Sequence, residues 1–435
     1  MLKIPRSKSF GKFLILILVF TVGLGIGARF LNEQVLPFGN KQSLVAEKNT
    51  PKSFVSEIYD KIKENYWNNI SDAELLDLFK LSMDRNGAGL TVVKFEDKNK
   101  LLDAVSKSVA GMNDEQKNQF LATVVSQVLS SLAPAGRSGL YTQKQEEQLK
   151  NTVSNINPEK DLYKDLGLKK GASESAVLDS FKKLSASASG EQLKTLTYAK
   201  DTLTQKDQKE RYDKAGIEPT IFTKILSPGI LYVQFKKFSP TSLEEFQKAF
   251  ENYEQVPSSG SKSDTSLNAL IFDLRGNVGG AIDATAYFLG FFLGKGQYAF
   301  DFYHKGEYLP FKTQTDKMQS ITRFKQVVVL IDQNSQSSAE MMAASLKKYH
   351  TGVLVGVPTK GWGTVERVFP LDNQISSKEK YSIFLVHSLT LRDDNQPIEG
   401  RGVEPDISIK DAAWPQKLLQ YFNNQPLVDS VKSIL

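Results

Sequence analysis

The sequence predicts an α/β core with a mostly parallel sheet, preceded by α-helical regions and an N-terminal membrane anchor. Three observations predict it. A cationic flank followed by an apolar run opens the chain. Apolar residues recur at helical spacing from Ser53 onward. From residue 229, short fully apolar runs alternate with helical ones. Strands buried on both faces read as continuous apolar runs, and their alternation with helices is the pattern of a parallel sheet.

The anchor comes first. Lys3, Arg6, Lys8 and Lys12 precede an uncharged apolar run over 13–28. Such a flank holds the N-terminus in the cytoplasm and sends the rest across. The run has 16 residues, slightly short of the roughly 20 of a spanning helix. Gly25, Ile26 and Gly27 make only a poor small-x-small cleavage site. An uncleaved single-pass anchor in the cell membrane is therefore preferred over a cleaved signal, which would give a secreted chain. Both place the bulk of the protein outside the cytoplasm.

Residues 1–30 are thus anchor or signal, and the polar stretch 31–52 is a linker. Residues 53–157 read as an α-helical region. Phe54, Ile58, Ile62 and Tyr66 share one helix face. Ser71 and Glu74 form a capping box that opens the next helix. Further helical stretches cover 113–131 and 142–155. Residues 158–216 form a compact helical module, and 217–435 form the core. Within it, strands are expected at 230–235, 269–274, 327–331, 353–357 and 381–386. Helices are expected at 241–253, 282–293 and 338–349. Residues 257–264 are a loop by composition.

Composition excludes several chemistries. The chain has 435 residues, so two or three domains are expected. It has no cysteine, which removes disulfides, thiol catalysis and cysteine zinc sites. Three scattered histidines, His304, His350 and His387, do not suggest a metal site. Net charge is +6, too mild for a nucleic-acid footprint. No cofactor and no metal are implied.

In parallel sheets chemistry gathers at the C-terminal ends of strands. Two ends are distinctive. Asp273-Leu274-Arg275-Gly276-Asn277-Val278-Gly279-Gly280 follows one strand, and its glycines let backbone N–H groups face a ligand. Ser335-Gln336-Ser337-Ser338-Ala339-Glu340 opens a helix. A serine there gains from the helix dipole, though plain N-capping is its commoner role.

Together with two later segments these motifs resemble the catalytic core of the C-terminal processing (tail-specific) serine peptidases. The later segments are Thr359-Lys360-Gly361-Trp362-Gly363 and Gly400-Arg401-Gly402-Val403-Glu404-Pro405-Asp406. The resemblance covers 229–410, and 53–83 with 128–145 resemble the family's helical portion. It implies an α/β peptidase core of the ClpP/crotonase-like kind and a polypeptide substrate or tail. Ser337 would be the nucleophile, with the N–H groups of Ser338 and of Gly279 or Gly280 holding the oxyanion.

One element departs from the family. Its lysine base lies 25 residues after the serine, and here that position is Trp362. The supporting glutamine four residues on is Glu366. Lys360, two residues before Trp362, is the candidate displaced base, and His387 is a weaker one. Two functional classes stay open. One is a membrane-anchored, extracytoplasmic serine endopeptidase with a displaced lysine. The other is an inactive pseudopeptidase that binds polypeptide tails or acts as an envelope scaffold.

Where the family often has a PDZ domain, residues 158–216 resemble a J domain instead. Tyr163 to Gly167, Phe181 to Leu184 and Arg211 to Gly216 carry that resemblance. The His-Pro-Asp loop is absent, because residues 185–190 read Ser-Ala-Ser-Ala-Ser-Gly. The module is expected to bind a protein partner or act as a scaffold.

Overall fold

A computed structural model describes residues 49–90, 94–253 and 267–435. The expected anchor, most of the linker and the expected loop at 257–264 lie outside these residues. Among the described residues no helix is long and apolar enough to cross a membrane.

The helical region holds Pro51–Asn65, Asp72–Arg85, Lys98–Val109, Asp114–Ser131 and Gln143–Val153. Side-chain caps set several of its starts. Ser71 Oγ accepts from Glu74 N–H at 3.2 Å while Glu74 returns a bond to Ser71 N–H at 2.8 Å. Asn113 with Gln116 and Thr142 with Gln145 repeat the device.

The strands in chain order are β1 Gly139–Thr142, β2 Ile221–Ser227, β3 Ile230–Phe235, β4 Ala269–Asp273, β5 Tyr298–His304 and β6 Glu307–Lys312. They continue with β7 Gln326–Ile331, β8 Val353–Gly356, β9 Thr364–Pro370, β10 Tyr381–Leu391 and β11 Ile407–Ser408. Six of them form one sheet in the order β11-β8-β7-β4-β3-β2, parallel throughout except for β2. The expected parallel sheet is therefore present. Alternate residues of its strands serve opposite faces. Leu270, Phe272, Val327 and Val329 meet helices Ser242–Glu251, Ile282–Leu293 and Ser338–Lys348. Ala269, Ile271, Val328 and Leu330 meet helices Trp414–Phe422 and Gln425–Ile434. Two covered faces explain why these strands are apolar throughout.

A second, antiparallel sheet was not expected. β10 pairs β9 on one side, and β1 and β5 on the other, with β6 at the edge beyond β5. β1 interrupts the region read as helical, and Ile383 and Leu385 of β10 share a core with the first helices. The helical region thus packs on the sheet that carries β9, directly after residues 359–363.

Residues 158–216 fold into Leu162–Asp165, Glu174–Ser185, Gly190–Thr204 and Lys206–Ala215 around Leu162, Tyr163, Leu166, Leu196 and Leu203. Arg211 pairs with Glu245 at 3.3 Å and Lys248 with Asp207 at 2.6 Å, fastening these helices to Ser242–Glu251 of the core.

Candidate active site

β4 ends at Asp273, whose fully buried carboxylate accepts Tyr232 Oη at 2.8 Å and Arg275 Nη2 at 2.6 Å. The ion pair anchors the start of the glycine turn. Asn277, also fully buried, ties three segments together. Its Nδ2 donates to Phe235 O at 2.8 Å, its Oδ1 accepts Gly279 N–H at 2.9 Å, and its carbonyl accepts Gln336 N–H at 2.8 Å. Glycine is required at 279. A Cβ there would lie 2.7 Å from Ser337 Cβ and 3.1 Å from Ser338 N, on a backbone with φ of 82°. The turn and the serine are that close.

Ser337 stands between β7 and helix Ser338–Lys348 with φ 53° and ψ −119°. A non-glycine residue in this region is strained, and such strain persists only where the surroundings over-determine it. Here Gln336 is held by Asn277, and Ser335 Oγ donates to Leu274 O at 2.9 Å. Ser335 is thus a structural tie. Ser337 N–H donates to Glu340 Oε2 at 2.9 Å.

Glu340 is fully buried and accepts four donors. Thr359 Oγ1 at 2.5 Å and Gly361 N–H at 2.7 Å meet Oε1, while Ser337 and Trp362 N–H meet Oε2. Burial pushes its carboxyl pKa up, against the pull of these four bonds. It fixes the backbone of residue 362 beside that of Ser337.

The expected oxyanion donors separate. Ser338 N–H and Gly280 N–H donate to no acceptor among the described residues. Gly279 N–H is occupied by Asn277 Oδ1, because the Asn side chain closes its own turn two residues on. Of the three expected donors, the N–H groups of Gly280 and Ser338 are therefore the two left unused among the described residues.

Lys360 is not brought to Ser337. Its backbone N–H donates to Ser335 O at 3.0 Å, but its side chain is exposed and makes no hydrogen bond or ion pair among the described residues. Gly361, with a φ of 80°, breaks the extended alternation between residues 360 and 362. Glu366 does not orient Lys360 either. Its Oε1 accepts Thr364 Oγ1 at 2.5 Å and Trp362 Nε1 at 3.3 Å, and burial pushes its pKa up. His387 is no substitute base. Burial, then Arg367, His304 and Lys305, lower its pKa to about 3, its Nδ1 lies 2.8 Å from Ser388 Oγ, and its ring stacks on His304 at 4.4 Å.

Residues 229–409 match the peptidase family S41 model. Over that span, about two fifths of the chain, the core is similar to peptidase family S41. The chain is 28% identical over 189 residues to carboxy-terminal processing protease CtpA of Bacillus subtilis, covering 43% of this chain and 36% of that protein. With CtpB of the same organism it shares 27% over 230 residues, covering 52% and 42%. The matches span less than half the length of these relatives. The photosystem II D1 C-terminal processing protease is a structural neighbour at TM-score 0.48 and 13% identity, covering 83% of this chain and 93% of that one.

Two residues at the candidate site escaped the sequence reading. Arg137, from the loop before β1, lays its guanidinium 3.4 Å from the centre of the Trp362 ring. Glu399 pairs with Arg137 Nη2 at 2.9 Å and accepts Gly363 N–H at 2.8 Å. Glu399 adjoins the Gly400 motif, which was a usable signal. Arg137 had none.

Proposed function

We propose that this protein binds unfolded segments or tails of extracytoplasmic polypeptides on its S41 core without cutting them. One observation carries the reading: the residue that Glu340 holds beside Ser337 is Trp362, while Lys360 projects into solvent. An indole N–H is a donor only and cannot take the serine proton. The proposal keeps the N-terminal anchor over 1–30, motivated by its cationic flank, with the bulk of the chain outside the cytoplasm. It also treats the core as ClpP/crotonase-like. The four helices of 158–216 stand in for the family's PDZ domain as a J-like scaffold or partner-binding module.

A second reading, a working endopeptidase, is favoured by the retained strain at Ser337 and the two unused N–H groups of Ser338 and Gly280. Incubation of the full chain in mild detergent with casein separates the two. Binding of casein without cleavage, unchanged by Ser337→Ala, is the expected result. Cleavage that Ser337→Ala abolishes would overturn the non-hydrolytic reading.

A further inference from the structure

Trp362 is held on two sides besides its backbone. The Arg137 guanidinium lies over the ring face at 3.4 Å, and Glu366 accepts Nε1 at the ring edge at 3.3 Å. A cation over an indole is attracted by the ring quadrupole, most strongly where water is excluded. The Arg137 and Glu399 side chains are only 17% and 15% exposed. Arg137 Nε and Nη2 both reach Glu399 Oε1, at 3.3 and 2.9 Å. The other Glu399 oxygen holds Gly363 N–H. The two halves of one ion pair therefore fix adjacent residues: the cation fixes the ring of Trp362 and the anion fixes the backbone of Gly363.

Arg137 is itself on a fixed base. Gly136 N–H donates to Ser130 O at 2.8 Å, and Ser138 Oγ accepts Val386 N–H at 3.1 Å. Trp67 Nε1 donates to Ala133 O at 2.6 Å. A lysine in place of Trp362 would bring an ammonium towards this guanidinium, a like-charge arrangement. The cation suits the indole, and against a lysine at that position it would disfavour only the charged form.

We propose that Arg137 is a positioning residue: it clamps the Trp362 indole, whose backbone shares Glu340 with that of Ser337, so that the ring forms a fixed wall of the polypeptide-binding site. The helical region thereby shapes a site built by the S41 core. This rests on the non-hydrolytic reading above for its ligand, an extended polypeptide.

The test uses the full chain in mild detergent. Acrylamide quenching of tryptophan emission is recorded for each protein with and without Trp362→Phe, so that the Trp362 share is isolated from Trp67 and Trp414. Casein affinity is measured alongside. Arg137→Ala is expected to raise quenching of Trp362 about threefold and to weaken casein binding about tenfold, the scale of one lost cation–aromatic contact with its ion pair. Arg137→Lys, which keeps a cation over the ring, recovers part of both. Glu399→Gln keeps an acceptor for Gly363 N–H but loosens Arg137, and raises quenching by a smaller factor. If Arg137→Ala does not fold, the Lys and Gln variants decide. Quenching of Trp362 unchanged from wild type in the folded variants overturns the proposal. Cleavage of casein by the wild type would sink the non-hydrolytic reading and leave the quenching result standing, so the two failures are distinguishable.

Discussion

Ser337 and Trp362 donate their backbone N–H groups to the same oxygen of Glu340, at 2.9 and 2.8 Å. The two segments of the site therefore meet on one buried carboxylate. That oxygen sets where residue 362 stands, whatever its side chain. On the proposed reading, the frame is kept while an indole stands at the position expected for the base.

Removing that carboxylate should collapse the frame. Glu340→Ala leaves the N–H groups of Ser337, Gly361 and Trp362 and the Thr359 hydroxyl without their buried acceptor. Unpaired buried donors cost about 1–3 kcal/mol each, with partial relaxation, so a loss of about 3–5 kcal/mol is expected. Urea unfolding of Glu340→Ala against wild type checks it. A loss under about 1 kcal/mol would mean that the turns are held by other contacts.

Burial raises the pKa of Glu366 and of Glu340 above the ordinary 4.5. The native state then binds more protons than the unfolded state between the two values. The stabilisation linked to each group is full below about 4.5 and is lost as pH rises through the folded value. Glu366→Gln should flatten part of this slope and raise the unfolding free energy at pH 8 relative to wild type, with little change at pH 4. Surface carboxylates such as Asp411, lowered by Lys417, act oppositely in acid. The difference between the two proteins isolates Glu366. An identical pH profile would show that its carboxyl is not desolvated.

His387 works in the other direction. Its pKa falls from 6.5 to about 3, through burial first and then the nearby Arg367, His304 and Lys305. A depressed histidine stabilises fully above its unfolded pKa, and the contribution is lost as pH falls from about 6.5 towards 3. The ring is only partly buried, so ~2 kcal/mol is the scale after solvent screening. Wild type should lose stability between pH 6.5 and 4, and His387→Asn should lose less. Equal losses would remove His387 from the account.

Much of this was legible in the sequence, for physical reasons. Strands β4 and β7 are buried on both faces, so they announce themselves as apolar runs. Ser337 and the Asp273–Gly280 turn were legible because close approach leaves no room for a side chain at Gly279 and Gly280. The antiparallel sheet was not. β6 is largely exposed and β9 mixed in polarity, so neither carries a strand period strong enough to read. Lys360 was misplaced because one positive φ at Gly361 redirects its side chain. Arg137 was missed because its partner Glu399 lies 262 residues away, and no local pattern records a contact at that distance.

The strongest prediction concerns the exchange itself. If the frame around Ser337 is intact and only the base is lacking, restoring the family pair should restore chemistry. Trp362→Lys with Glu366→Gln places an amine on the backbone position that Glu340 fixes and removes the carboxylate that would hold it charged. Arg137 then stands beside the amine, and its like charge favours the neutral form that can accept a proton. General-base assistance contributes at least ~100-fold, so casein cleavage should rise by about that factor over wild type. Adding Ser337→Ala should return it to background, and Trp362→Lys with Glu366 retained should gain less. Arg137→Ala in the restored enzyme should shift the acidic limb of the pH–rate profile to higher pH, since the amine then holds its proton more tightly. A restored pair that stays inert while folded would mean that Ser337 or the Gly280 and Ser338 donors have also drifted from working geometry.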